Sequence, residues 1–122
     1  MKLEISAVHM ELEPDLKKYI TKKINKLDKY VPKPARESVH ASVILKESHS
    51  KNKRQFTCEI IITLPQEKIV VSESTLNIFA ATDIAEATLK NRLKKYKEQK
   101  VSERSGHKDR KVRKFLGKIL SR

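Results

Sequence analysis

Four histidines, one cysteine and one close pair of carboxylates are the side chains in this 122-residue chain with the types and spacing for enzymatic chemistry. His9, His40, His49 and His107 lie in four separate segments, none at metal-ligand spacing from another His or Cys. Cys58 alternates with the apolar positions of "QFTCEIIITL" and has no activating neighbour in sequence, so it reads as a core thiol rather than a nucleophile. Asp83 and Glu86 stand one helical turn apart, as a general acid and base could, yet early in a helix they simply favour the positive end of its dipole. The chain has two Gly, both beyond residue 100, which excludes a glycine-rich phosphate loop. The sequence therefore carries no catalytic constellation, no metal site and no cofactor site, and the expectation is a binding protein rather than an enzyme.

The chemistry lies in the charge. There are 28 Lys and Arg against 15 Asp and Glu, a formal charge of +13, and such an excess in so small a protein favours a polyanionic partner. Between residues 15 and 30 six Lys face only Asp15 and Asp28; between residues 90 and 100 six Lys or Arg face only Glu98. At 100° per residue, Lys18, Lys22, Lys26 and Lys29 fall in one arc of a first helix beside its apolar stripe. On a second helix Lys90, Lys94 and Lys97 cluster opposite the stripe, with Lys95 on the far flank and Arg92 nearer the core edge. A solubilising role would explain any one of these lysines; two acid-poor ridges side by side suit a phosphate backbone. Aromatic residues make up only 5% of the chain, so phosphate contact and shape reading are expected rather than base stacking.

The elements that must carry these ridges follow from periodicity. "LEISA" alternates with Leu3, Ile5 and Ala7 on one side, a short half-buried strand. From Pro14, Leu16, Tyr19, Ile20, Ile24, Leu27, Tyr30 and Val31 recur at steps of three and four, an amphipathic helix ended by Pro32 and Pro34. "SVHASVILK", "QFTCEIIITL" and "KIVVS" read as three strands, joined by the polar loop "ESHSKNKR" and the tight turn "PQEK". Asn77 then caps a second helix with the stripe Ile78, Ala81, Ala85, Leu89, Leu93 and Tyr96. The order β-α-β-β-β-α predicts an α+β domain over residues 1–100: a four-stranded sheet with two roughly parallel helices on one face. Its first strand should lie parallel to the second, and the other three should form a meander.

After Lys100 the composition shifts to "VSERSGHKDRKVRKFLGKILSR", with eight Lys or Arg and two acids, +6 of the total charge. Disorder is expected there through at least Asp109. The spacing of Val112, Phe115, Leu116, Ile119 and Leu120 suits a short amphipathic helix on a partner. A single cysteine and a start without a signal-like apolar run predict a cytoplasmic protein, and no run is long enough to span a membrane.

The opening "LEISAVHMELEPDLKKYITKKINKLDKY" and the closing "NIFAATDIAEATLKNRLKKYK", set around three strands, resemble the ribosome hibernation promoting factors and ribosome-associated inhibitor A, also called protein Y. The resemblance covers about residues 1–97. It implies a fold similar to double-stranded RNA-binding domains and a binding place in the decoding region of the small ribosomal subunit. There such proteins bind 16S rRNA and block messenger RNA and A- and P-site tRNA without chemistry, in stress or stationary phase. By position, it assigns RNA binding to Lys22, Lys26 and Lys29 and to Lys90, Arg92, Lys94, Lys95 and Lys97. Asn77 stands where the family often has Asp, and Thr82 where an aliphatic residue is common. The 22 residues after Lys100 cannot hold the second domain of long-form members, so a short form, monomeric off the ribosome, is expected. The tail is basic where the inhibitor A branch typically has an acidic tail end. Two competing readings are a general double-stranded RNA binder and an adaptor that docks its basic tail on a membrane or protein.

Overall fold

Alternating apolar and polar residues build four strands in the computed structural model, which describes residues 1–104. They are β1 (Lys2–Val8), β2 (His40–Ser50), β3 (Lys53–Leu64) and β4 (Glu67–Thr75), in the spatial order β1-β2-β3-β4. β1 is parallel to β2, and β2, β3 and β4 form an antiparallel meander. The register aligns Leu3, Ala41, Ile62 and Ile69 in one row and Ile5, Val43, Ile60 and Val71 in the next. Because side chains alternate along a strand, both rows face the same side, and the two helices cover that side. Leu16, Ile20 and Ile24 of α1 (Pro14–Asn25) and Ala81, Ala85, Leu89, Leu93 and Tyr96 of α2 (Ile78–Arg104) join the strand residues in one core. Each fully buried Leu or Ile there contributes about 1.5–3 kcal/mol relative to exposure.

The ends of α2 follow from local chemistry. Asn77 Oδ1 accepts the backbone N–H groups of Phe79 at 2.8 Å and Ala80 at 3.2 Å, the cap expected of it. Ala81 and Ala85 are fully buried, and their small side chains let the helix approach the sheet. Thr82 is also fully buried, its hydroxyl satisfied by the Ile78 carbonyl at 2.8 Å. Cys58 lies in the core as expected, where burial pushes its thiol up to about 11 and a hydrogen bond with Thr82 offsets part of that rise. α2 runs on through Arg104, past the end set at Lys100 by composition. The remaining tail, including Val112, Phe115, Leu116, Ile119 and Leu120, lies outside the described residues.

Three elements depart from the sequence reading. The first helix stops at Asn25 and tightens into a 3₁₀ segment, Lys26–Tyr30, before Val31 turns extended. Pro32 disfavours helical geometry at Val31, so the chain ends in the tighter 3₁₀ turn instead of one continuous α-helix. Lys26 and Lys29 therefore sit on the 3₁₀ segment, and the single α-helical arc from Lys18 to Lys29 does not exist. A second 3₁₀ segment, Lys33–Ser38, fills the connection to β2. The polar loop "ESHSKNKR" is mostly strand: β2 and β3 pair up to Ser50 and Lys53 around the two-residue turn Lys51–Asn52. Both turn residues have positive φ, 51° and 65°, the type I′ pattern. For Lys51, which carries a Cβ, this costs on the order of 1 kcal/mol. At the other end Pro65 and Gln66, the latter with φ 65°, make the expected tight turn.

No described helix is long and apolar enough to cross a membrane.

Candidate nucleic-acid interface

The helices are joined first by a polar lock between the second half of α1 and the first turns of α2. The Tyr19 and Phe79 rings meet edge to face at 5.1 Å, and the Tyr19 hydroxyl donates to Asp83 Oδ1. Lys23 Nζ lies 2.6 Å from Asp83 and 3.8 Å from Glu86. The hydrogen bond from Lys23, then that from Tyr19, holds the Asp83 carboxyl below its ordinary value; Asp83 in turn raises Lys23 and Tyr19. This corrects the dipole account of Asp83 and Glu86. The first turn of α2 has no acid, and these two bind across to α1 instead. Farther along, Lys97 Nζ donates to the Lys29 carbonyl at 2.9 Å. Since 19 meets 79, 23 meets 83 and 29 meets 97, the two elements run in the same direction.

Asp83, Glu86, Lys90, Lys94 and Lys97 share an arc of about 80° on α2 at 100° per residue. The stripe is acidic where it meets Lys23 and basic where it meets the 3₁₀ segment. In that basic half three ammonium groups converge on one ring: Lys29, Lys94 and Lys90 Nζ lie 5.2, 5.4 and 5.8 Å from the centroid of Tyr30. None of the ion pairs among the described residues involves any of the three. Burial pushes the Tyr30 hydroxyl up, but the positive charges of Lys29, Lys90 and Lys94 outweigh it and leave the group below its ordinary value. The ring face attracts cations and holds three of them together, with none of them paired to a carboxylate among the described residues. Such a cluster favours an anion carrying several oxygens, as a phosphodiester does.

The eight expected contact residues thus divide. Lys29, Lys90 and Lys94 meet at Tyr30, and Lys97 ties α2 to the backbone beside them. Lys26 is exposed on the same 3₁₀ segment, and Lys22 is exposed on α1, where it borders a shallow groove with Pro14, Lys17, Lys18 and Thr21. Lys95 is exposed about 140° around α2 from Lys90. Arg92 turns to the sheet edge, its Nη1 donating to the Val70 carbonyl at 2.8 Å. Tyr30 itself was missed as a functional residue, because its spacing placed it in the apolar stripe; it is only partly buried. The signal was present in "KLDKYVPKP", where an aromatic ring stands directly beside Lys29 at the end of a lysine-rich helical stretch.

Residues 3–101 match the family described as sigma 54 modulation protein / S30EA ribosomal protein. The chain belongs to that family. Two solved structures share the fold of this family member. One is the crystal structure of the Thermus thermophilus Protein Y N-terminal domain, with 24% identity and a TM-score of 0.66, covering 79% of this chain and 99% of that one. The other is a ribosomal subunit interface protein from Coxiella burnetii, with 18% identity and a TM-score of 0.64, covering 80% of this chain and 99% of that one. No curated protein matches the chain.

Proposed function

We propose that this S30EA family member is a ribosome hibernation factor of the cytoplasm. It binds 16S rRNA in the decoding region of the small subunit and sterically blocks messenger RNA and the A- and P-site tRNAs in stress or stationary phase. The observation that carries the reading is the convergence of Lys29, Lys90 and Lys94 on Tyr30 with no acid partner among the described residues. Support also comes from the family itself and from a structural neighbour described as a ribosomal subunit interface protein. Occupancy and charge are sufficient for this activity, and no bond need be made or broken.

The test is sedimentation of the full chain with small subunits and with intact ribosomes. Each phosphate contact releases counterions, so association should fall steeply between about 50 and 200 mM salt. Lys90→Glu combined with Lys94→Glu should abolish it while circular dichroism stays native, because both side chains lie outside the core. Equal affinity for an arbitrary RNA duplex would instead favour a general double-stranded RNA binder, and absence of salt-sensitive ribosome binding would overturn the proposal.

A further inference from the structure

The β2–β3 hairpin outgrows its sheet. β1 leaves β2 at the pair Val8↔Lys46, and β4 leaves β3 at Phe56↔Thr75. Pairing between β2 and β3 nevertheless continues through Ser48↔Gln55, His49↔Arg54 and Ser50↔Lys53 to the turn Lys51–Asn52. The result is a two-stranded arm with both edges unpaired among the described residues, about 10 Å longer than the four-stranded sheet. Ser48, His49 and residues 51–55 are exposed, and no apolar residue lies between Ser48 and Gln55. The arm therefore contributes nothing to the core, yet the chain holds it in register and keeps Lys51 in a left-handed conformation at its tip.

Its charges are unequally used. Arg54 pairs with Glu47 at the base, with its guanidinium 5.5 Å from the centroid of Phe56. That pairing consumes the one acid of the hairpin segment from Lys46 to Thr57 and leaves Lys46, Lys51 and Lys53 without an ion-pair partner among the described residues. Strand alternation sets Lys46, Ser48, Lys53, Gln55 and Thr57 on one face, a row of donors and hydroxyls that meets a carboxylate, Glu59, only beyond Thr57 in the four-stranded part of the sheet. Lysines with short polar side chains fit phosphates and 2′-hydroxyls, and a narrow ribbon fits the wide, shallow minor groove of A-form RNA. The tip carries no aromatic residue for stacking on a base.

The geometry points to the arm as a second RNA-binding element, one that lays its basic tip along the sugar-phosphate backbone of an RNA duplex, separately from the Tyr30 cluster. The Tyr96 hydroxyl reaches the Pro65 carbonyl, which places the basic half of α2 at the β3–β4 turn, the opposite end of the sheet from the arm. Eleven residues of β2 separate the two ends, on the order of 35 Å. Two contacts that far apart fix the orientation of a bound protein, which one cluster cannot do. The inference rests on the proposed function in taking RNA as the ligand, and its test separates the two.

The full chain is compared with a variant combining Lys51→Asn, Asn52→Gly and Lys53→Gln, which retains the type I′ turn while removing two charges. Each is titrated at several salt concentrations against purified small subunits and against a plain RNA duplex of about 20 base pairs. The expected result on small subunits is affinity lower on the order of tenfold at about 100 mM salt, with a salt slope shallower by about two. If neither protein binds small subunits but the variant still loses slope on the duplex, the ribosomal reading falls and the arm stands. Affinity and slope equal to the full chain on every ligand bound would overturn the arm.

Discussion

Lys23 Nζ lies 2.6 Å from Asp83 Oδ1, and this pair joins the helix that precedes the sheet meander to the one that follows it. The two residues are 60 positions apart, so the contact forms only in the folded chain and its titration reports on folding. Asp83 is held below its ordinary value, so its share of stability is present above the unfolded carboxylate value of about 3.9. That share is lost as pH falls through the folded value. Lys23 and Tyr19 are raised, so their share is present below about 10 and lost as pH rises through their folded values. Both partners are partly exposed, which limits the pair to about 1 kcal/mol or less. Urea unfolding of the native chain and Asp83→Asn should therefore differ by a constant amount between about pH 5 and 9, with the gap closing at both extremes. A gap independent of pH would show that the pair does not link the helices.

Tyr30 makes a prediction with two readouts. Phenolate absorbance should show Tyr30 ionising below the ordinary value of about 10 and Tyr19 above it. Combining Lys90→Gln with Lys94→Gln should move Tyr30 upward, because two of the three charges that lower it are gone. Tyr30→Phe keeps the ring and should keep ribosome affinity within about twofold. Tyr30→Ala removes the platform and should weaken binding about five- to tenfold, the scale of one or two exposed cation–π contacts. Equal affinity for the Phe and Ala variants would show that the ring does not organise the lysines.

How much of this was legible in the sequence depends on what each residue answers to. Val43, Ile60 and Val71 answer to burial, so the apolar alternation within each strand marks them as core residues, and they are buried in one row. The Asn77 cap answers to its own backbone two and three residues on and was equally legible. The extension of β2 to Ser50 was not, because nothing is buried along the arm and the apolar pattern ends where the sheet does. Lys26 and Lys29 were placed on an α-helix because spacing cannot distinguish 100° from 120° per residue over so few positions; the prolines that follow decide it. The Lys23–Asp83 contact was out of reach for another reason. Both residues look like ordinary solvent-facing charges, and only the docking of one helix against the other makes them a pair.

Arg92 provides the sharpest separation between charge count and geometry. It sits in the most basic part of α2, yet its Nη1 donates to the Val70 carbonyl on the outer edge of β4, about 160° around the helix from Lys90. An exposed edge carbonyl otherwise bonds to water or to another strand, so this contact shields the sheet edge. Arg92→Ala should therefore act mainly on β4. Amide exchange along Glu67–Thr75 should quicken, and stability should fall by about 0.5–1 kcal/mol, the worth of one exposed charge-assisted hydrogen bond. Ribosome affinity and its salt slope should fall less than for Lys94→Ala, although each variant loses one positive charge. Equal losses in the two variants would mean that net charge alone governs binding, because Arg92 faces the sheet edge and Lys94 faces the Tyr30 ring.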